Sequence, residues 1–255
     1  GKYKEALAII KKENPFPAVC GRICNRRCED ACTRGTIDRA VSIDAVKKFI
    51  AEQDLHAEHR YVPDIVVASN MGRWKEKIAI IGGGPAGLSC AYYLAQMGYY
   101  PTVFEKNEKP GGMLTYGIPS YKLEKDVIDA EIDIMREMGV EIKCGVEVGK
   151  DITIDQLRAE GYKAFYVAIG CQGGKKPNVV GSDAEGVTTA VDFLKVANCG
   201  GYAVKGKTIV IGGGNVAIDA ARVSARSGAK EVAMYCLETR DIMPASSEEI
   251  VEAQE

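Results

Sequence analysis

Lys77-Ile-Ala-Ile-Ile-Gly82-Gly-Gly84-Pro85-Ala-Gly87 is the stretch on which the fold turns. The apolar run Ile78–Ile81 reads as a strand buried on both faces. Three glycines at G-x-G-x-x-G spacing follow it. Pro85 then stands where a helix can begin, because its missing N–H costs nothing at a first helical position. A helix is predicted over Pro85–Gln96. In such a strand–turn–helix the glycines permit a tight turn, close approach of a pyrophosphate, and close packing of helix on strand. The helix N-terminus faces the phosphates with unpaired N–H groups and the positive end of its dipole. A second strand is predicted at Thr102–Glu105. Glu105, flanked by Lys106, closes that strand, where a carboxylate can accept hydrogen bonds from both ribose hydroxyls. The reading is a dinucleotide-binding unit.

The motif recurs. Lys207-Thr-Ile-Val-Ile-Gly212-Gly-Gly214 repeats Lys77–Gly84, and the later pair Gly98 and Gly228 keeps the same offset. The second turn, Gly212-x-Gly214-Asn215-Val216-Ala217, carries alanine at its third position, an accepted variant. Two such turns in one chain suggest a pair of redox cofactors, with hydride passing between nicotinamide and flavin. The alternative is a duplication with one inactive copy. Between the turns, Leu123–Met138 is a strongly amphipathic helix, and strands are expected at Val140–Cys144 and Ala164–Ile169. Alternating helix and strand means an α/β fold with a largely parallel sheet.

Upstream, residues 1–60 read as short helices. Leu7 and Ile10 form an apolar stripe that Asn14-Pro15-Phe16-Pro17 terminates. A further helix starts at Ser42, a candidate N-cap, and is expected to bury Ile43, Val46, Phe49 and Ile50. Residues 59–77 have no period and read as a linker. The 255 residues are 46% apolar and 27% charged with a net charge of −2. That balance supplies no electrostatic reason to bind nucleic acid or anionic lipid. No apolar run approaches the roughly 20 residues of a membrane helix. Gly1–Asn14 contains no signal-peptide apolar region, so the expected location is cytoplasmic, with no membrane partner.

Nine cysteines is a high and odd number, and four of them fall between Cys20 and Cys32. In a reducing compartment such a cluster more often binds a metal or an iron–sulfur centre than forms disulfides. The spacing Cys20-x3-Cys24-x3-Cys28-x3-Cys32 puts the thiols on one face if helical; if looped, Cys24, Cys28 and Cys32 can reach a cluster. Zinc and buried free thiols are the alternatives. Arg22, Arg26, Arg27 and Arg34 would offset thiolate charge or form a solvated face. No C-x-x-C follows Cys32, which argues against a redox disulfide of the thioredoxin-reductase type.

These residues together resemble the small (β) subunit of glutamate synthase and its relatives. The matching stretches are Pro17-Ala-Val-Cys20-Gly-Arg-Ile-Cys24, Cys28-Glu-Asp-Ala-Cys32, Gly82–Gly87 and Gly111-Gly-Met-Leu-Thr-Tyr116-Gly-Ile-Pro119. They continue with Val146-Glu-Val148-Gly-Lys-Asp151, Val167-Ala-Ile-Gly170, Gly212-Gly-Gly-Asn215-Val-Ala-Ile-Asp219 and Met243-Pro-Ala245. The resemblance implies a Cys-rich helical domain at 1–60, a linker at 61–76, a Rossmann-like FAD-binding domain at 77–200 and the first part of an NAD(P)-binding domain at 201–255. FAD would be held by Gly82, Gly84, Pro85, Gly87, Glu105 and Lys106, with Gly112, Met113 and Leu114 along the flavin and the backbone of Val148 near the adenine. Gly170 would mark the crossing to the nicotinamide domain. NAD(P)H would be held by Gly212, Gly214, Asn215, Val216, Ala217, Glu238 and Arg240. Cys24, Cys28 and Cys32 would ligate two 4Fe–4S clusters, with Cys20 a bystander.

Three departures qualify the resemblance. Relatives complete both clusters with cysteines upstream of Gly1 and with a Gln or Glu where Lys47 stands here, so no intact cluster is expected within these residues. The chain closes before a full second nucleotide unit and before the Gly-Asp motif that finishes the FAD site; a truncated chain with exposed apolar surface, inactive alone and prone to self-association, is expected. NADPH-using relatives place two arginines where Leu237-Glu238 stand, so NADH is the expected donor. The implied activity is NAD(P)H-dependent: hydride to FAD, then single electrons through the clusters to an acceptor subunit, such as a glutamate synthase large subunit. A diaphorase feeding a hydrogenase or another dehydrogenase is the alternative enzyme; a non-catalytic nucleotide-binding scaffold is the alternative of another class. Hydride transfer needs alignment and exclusion of water, so no general acid or base is nominated. Asp219 either faces the nicotinamide site or is an ordinary helix carboxylate.

Overall fold

The computed structural model describes residues 1–66 and 72–254. It divides into two compact units. The first comprises residues 1–115 and 121–170, the second 116–120 and 171–255. The break after Gly170 puts residues 171–200 with the second unit, and the Cys-rich helices in one unit with the first glycine turn.

In the first unit four short helices come first: α1 (Tyr3–Lys11), α2 (Pro17–Ile23), α3 (Arg27–Asp30) and α4 (Ile43–Leu55). Pro17 opens α2 at its first position, where proline is preorganised. Gly21 lets α2 lie directly on α4, since a Cβ there would stand 2.7 Å from Lys48 Cβ. That contact sets the rotation of α4. Its buried residues are Ala51 and Asp54, whereas Ile43, Val46 and Phe49 are exposed. The expected buried face is therefore corrected: the side toward α2 won over the more apolar one. Ser42 makes no side-chain cap; the Asp44 N–H donates instead to Glu29 Oε1 at 2.8 Å.

The remainder of this unit builds a parallel sheet of order β3-β2-β1-β4. Its elements are β1 (Lys77–Ile81), α5 (Pro85–Gln96), β2 (Tyr100–Glu105), α6 (Met113–Tyr116), α7 (Lys125–Glu137), β3 (Glu141–Cys144), α8 (Ile154–Ala159) and β4 (Tyr162–Val167). Ala79, Ile80, Leu88 and Val103 are wholly buried, as a sheet covered by helices requires. α7 buries Val127, Ile128, Ile132, Ile134 and Met135, and also Glu131. Thr153 and Gln156 close a reciprocal capping box on α8. The expected linker is held at several points. Tyr61 N–H donates to Asp54 Oδ1 at 2.6 Å, and Val66 N–H to the Gln96 carbonyl at 2.7 Å. Trp74 N–H donates to the Gly98 carbonyl at 2.9 Å. Residues 67–71 of that stretch lie outside the described residues.

The second unit contains α9 (Ala190–Asn198), β5 (Lys207–Ile211), α10 (Asn215–Arg226), β6 (Glu231–Tyr235) and α11 (Ser247–Glu252). β5 and β6 pair in parallel. Phe193 and Leu194 of α9 share a core with Val210, Ala217 and Ala220, which is why residues 171–200 belong here. Ile209, Ile211 and Tyr235 are exposed. Among the described residues no helix is long and apolar enough to cross a membrane.

Candidate functional site

The first glycine turn joins β1 to α5. Gly82 has φ +109°, and a Cβ on it would collide with the Ala168 carbonyl just past β4. A Cβ on Gly87 would collide with the Gly82 carbonyl. The first and last glycines are thus fixed by backbone on both sides. The middle one, Gly84, faces only Gly112 Cα, 3.8 Å from where its Cβ would be. Space is left at the N-terminus of α5, which carries no side-chain cap. This is the geometry that admits an anionic group.

Register then places the carboxylate. Ile81 pairs with Phe104, so Glu105 lies one step beyond, under the turn. Its Oε2 accepts the Gly83 N–H at 2.7 Å. Its Oε1 accepts from Asn107 N at 2.8 Å and Asn107 Nδ2 at 2.6 Å. Glu105 is buried, yet Oε2 keeps a second lone pair, which fits a ribose hydroxyl. Gly111 N–H donates to the Gly83 carbonyl at 2.7 Å, which brings the segment of Gly112, Met113 and Leu114 to the turn. Met113 is partly exposed and Leu114 buried. Lys125 Nζ holds the Leu114 carbonyl at 3.0 Å. Val146 N–H donates to the Glu105 carbonyl at 3.0 Å, and Val148 bridges to Ile152, so the Val148 backbone runs beside the same strand end. Lys106 is exposed. The cradle, the buried carboxylate and the folded-back segment fit an adenine dinucleotide such as FAD.

The second turn copies this plan with changes. Gly212 N–H donates to the Tyr235 carbonyl at 2.8 Å, the counterpart of Gly82 N–H to Phe104 at 2.8 Å. Ile211 pairs with Tyr235, so the residue in Glu105's place is Cys236. The connection is one position longer than in the first unit, and the constant offset of the glycines conceals this. A Cβ on Gly213 would lie 3.0 Å from Cys236 Cβ and 3.3 Å from Glu238 Oε2. Glu238 therefore turns back under the glycines from further along the chain. The Cys236 thiol donates to the Glu238 carbonyl at 3.3 Å. Ala245 N–H donates to the Gly213 carbonyl at 3.0 Å, so Met243-Pro-Ala245 plays the part that Gly111 plays in the first unit. Asn215 Oδ1 accepts Ser246 N–H at 2.9 Å and anchors that return. Val216 is exposed and Ala217 buried. Gly214 has open space around its Cβ position.

A cavity of about 520 Å³ opens between α10, β6 and α11, lined by Arg222, Arg226, Met234, Glu238, Arg240 and Met243 among others. That volume lies in the range of small-ligand sites. Arg240 donates to Gln254 Oε1 at 2.8 Å. Arg222 pairs with Glu249 and Glu252. Asp219 is buried on α10.

In the cysteine segment all four thiols are free. Cys20, in α2, is half-buried, and burial pushes its thiol up. Cys24 Sγ accepts Arg26 N–H at 3.4 Å, and Arg26 itself holds a left-handed φ of 53°. N–H groups of Val41, Arg34 and Gly35 hold the Cys32 thiol below its usual range. Sulfurs that accept backbone N–H groups suit metal ligation. Cys28 is exposed. Among the described residues no group of three or more Cys, His, Asp or Glu is placed to hold one metal ion. Lys47 binds Asp44 Oδ1 at 2.6 Å. Burial would pull its ammonium down, but Asp44 and the Cys24 and Cys20 thiols together hold it above its usual value.

Residues 76–255 match the family described as pyridine nucleotide-disulphide oxidoreductase. Residues 1–59 match the dihydropyrimidine dehydrogenase domain II, 4Fe–4S cluster family. The NADP(+)-dependent formate dehydrogenase subunit beta of Moorella thermoacetica is 38% identical over 100% of this chain and 39% of its own length. The glutamate synthase [NADPH] small chain of Escherichia coli K12 is 36% identical over 100% and 56%. The NAD-dependent dihydropyrimidine dehydrogenase subunit PreT of Escherichia coli K12 is 38% identical over 99% and 60%. The resemblance to glutamate synthase small chains is thereby borne out, and the chain spans roughly two-fifths to three-fifths of the length of these relatives. Mycobacterium tuberculosis FprA in complex with NADPH shares the fold, with a TM-score of 0.59 at 22% identity over 70% of this chain and 47% of that one. The two family matches indicate FAD and NAD(P) as cofactors of the glycine-turn region and a 4Fe–4S cluster as that of the N-terminal segment.

Proposed function

The chain belongs to the pyridine nucleotide-disulphide oxidoreductase family, and we propose that it is the electron-input part of an NAD(P)H-dependent flavin and iron–sulfur oxidoreductase. One observation carries the reading. A strand–glycine-turn–helix with an acidic side chain under the turn occurs twice, Glu105 beneath Gly83 and Glu238 beneath Gly213, in a chain that also bears the four-cysteine segment. When bound, FAD supplies the two-electron acceptor that a reduced nicotinamide needs. The residues of this chain bind and orient. Gly82, Gly84, Pro85 and Gly87 admit the first pyrophosphate, Glu105 takes its ribose, and Gly112–Leu114 and Val148 line its flanks. Gly212, Gly214, Asn215, Val216 and Ala217 form the second phosphate turn. Gly170 begins the crossing between the two units. Cys24, Cys28 and Cys32 act as cluster ligands.

NADH is the proposed donor, because Glu238 would repel a 2′-phosphate and accept from a free ribose hydroxyl. Relatives named for NAD and for NADP both occur, so the family alone does not decide this. The electron acceptor is a partner subunit or domain. Names of relatives that span formate dehydrogenase, glutamate synthase and dihydropyrimidine dehydrogenase support a common input module with exchangeable partners.

The test is an anaerobic ultraviolet–visible spectrum of the intact gene product before and after NADH. Flavin bands that bleach, over a broad iron–sulfur shoulder, are expected. A protein that binds nucleotide but carries no flavin would replace this reading with a non-catalytic scaffold.

A further inference from the structure

The arginines around the cysteines do not share one fate. Arg34 pairs with Asp38 of its own exposed loop. Arg22 lies on α2, just before Cys24, and its side chain is only 11% exposed. Its Nε donates to Glu124 Oε2 at 2.6 Å. Its Nη1 donates to the Ala18 carbonyl at 3.1 Å, and its Nη2 stands 3.4 Å from Glu52 Oε1. One guanidinium therefore reaches its own helix α2, the helix α4 and the N-cap of α7. Glu124 makes no side-chain cap on α7; its carboxylate is turned to Arg22 instead.

The same end of α7 holds the segment expected along the flavin. Lys125, the first residue of α7, donates from Nζ to the Leu114 carbonyl at 3.0 Å. Gly111 N–H ties the start of that segment to the Gly83 carbonyl of the first glycine turn at 2.7 Å. Glu124 and Lys125 are chain neighbours, so the cysteine helix and the Gly112–Leu114 segment are moored to adjacent residues of one helix terminus. Arginine suits this place and lysine does not, because a guanidinium presents several donors in fixed directions and an ammonium is a point charge on a flexible stem. Glu124 is 54% exposed, and an ion pair so open to water adds little stability. What the fork does fix is placement, on which transfer between two held groups depends.

We propose that Arg22 is a positioning residue: it docks α2 on the terminus of α7 that also anchors the Gly112–Leu114 segment, and so sets the geometry in which electrons pass from the flavin to the cysteine segment. The electron half of this rests on the reading of Cys24, Cys28 and Cys32 as cluster ligands; the docking half does not.

The experiment uses the full-length, cofactor-loaded protein. In Arg22→Met, NADH should bleach the flavin at the wild-type rate. Cluster reduction, followed by freeze-quench electron paramagnetic resonance, should slow by about 10–100-fold, the scale of a misplacement of about 1 Å. Arg22→Lys should restore only part of that rate. Glu124→Ala removes the partner from the other side and should slow cluster reduction in the same way; added to Arg22→Met it should change little further, because both act through one contact. Hydrogen exchange of the α2 amides should quicken by about 2–5-fold in either variant, the weight of a partly exposed ion pair, with the β1–β4 amides unchanged. If Arg22→Met fails to fold, Glu124→Ala, at the more exposed residue of the pair, carries the test. The proposal is overturned if cluster reduction keeps its wild-type rate in these variants, or if flavin bleaching slows as much as cluster reduction does. Unchanged α2 exchange would overturn the docking half. A preparation with flavin and no iron would overturn the cluster reading itself and the electron half with it, and the exchange data would still decide the docking.

Discussion

Gly83 N–H and Glu105 Oε2 meet at 2.7 Å under the first glycine turn; in the second unit the register position of Glu105 is Cys236, and Glu238 Oε2 reaches back beneath Gly213 from further along the chain. The acid of the first unit is thus a structural acceptor, and it is also the proposed contact of the ribose. Replacing Glu105 by Gln keeps an acceptor and removes the charge; replacing it by Ala leaves the Gly83 N–H unanswered. A charge-assisted hydrogen bond is worth about 1.5–3 kcal/mol. FAD affinity should fall about 10–100-fold in Glu105→Ala and less in Glu105→Gln, by fluorescence titration of the apoprotein.

Gly87 and Ala217 hold the same place in the two turns, and they are not equivalent. A Cβ at Gly87 has the Gly82 carbonyl in its way, whereas the second turn accommodates one. Gly87→Ala should destabilise by about 1–3 kcal/mol, the usual cost of overpacking, and lose FAD. Ala217→Gly should cost about 1 kcal/mol, the helix propensity difference, and keep nucleotide binding. Urea unfolding of both variants checks the contrast.

Glu238 lies beneath the second turn, and it is the residue proposed to favour NADH. Glu238→Arg should move the ratio of NADPH to NADH affinity by about tenfold or more toward NADPH, in the direction of one charge reversal at a partly buried position. Titration of the intact protein with both nucleotides reads it. An unchanged ratio would place the adenosine ribose elsewhere.

A pH dependence follows from Arg22 of α2 and Glu124 at the N-cap of α7, 2.6 Å apart. Burial pushes the Glu124 carboxyl up, but a backbone N–H and Arg22 outweigh it and hold it below its usual value. A depressed carboxyl contributes stability above its unfolded pKa, about 4.3 for glutamate, and loses it as pH falls through the folded value. The gap in denaturation midpoint between wild type and Glu124→Gln should thus be present at neutral pH and close below about pH 4.

The exposed and buried faces of α4 predict opposite tolerances. Val46→Thr, on the exposed face, should change stability by no more than about 0.5 kcal/mol. Ala51→Leu, on the buried face, should cost about 1–3 kcal/mol. Thermal melts of both variants decide which face carries the packing.

α4 also shows where reading from the chain stops. Its period announces a helix, but its apolar stripe names the wrong inside, because Gly21 on another helix dictates which side can approach. Cys236 is hidden in the same way: a one-position difference between two connections is invisible until strand register is known. Nothing in the period of α7 singles out Glu131; only its burial and its ion pairs show that it answers Lys11 of α1 and Arg60 after α4.

What the sequence determined by itself is the pair of strand–turn–helix units, Glu105 as the acid of the first, and the grouping of cysteines at 20–32. Each of these is a local matter of backbone freedom, hydrophobic period and spacing within a single unit of strand, turn and helix or less. What the tertiary structure alone decided is the face of α4, the substitution of Cys236 for a carboxylate, the return of Met243–Ala245 to its turn, and the convergence on Glu131. Those depend on which surface stands opposite, and no stretch of chain encodes its partner locally.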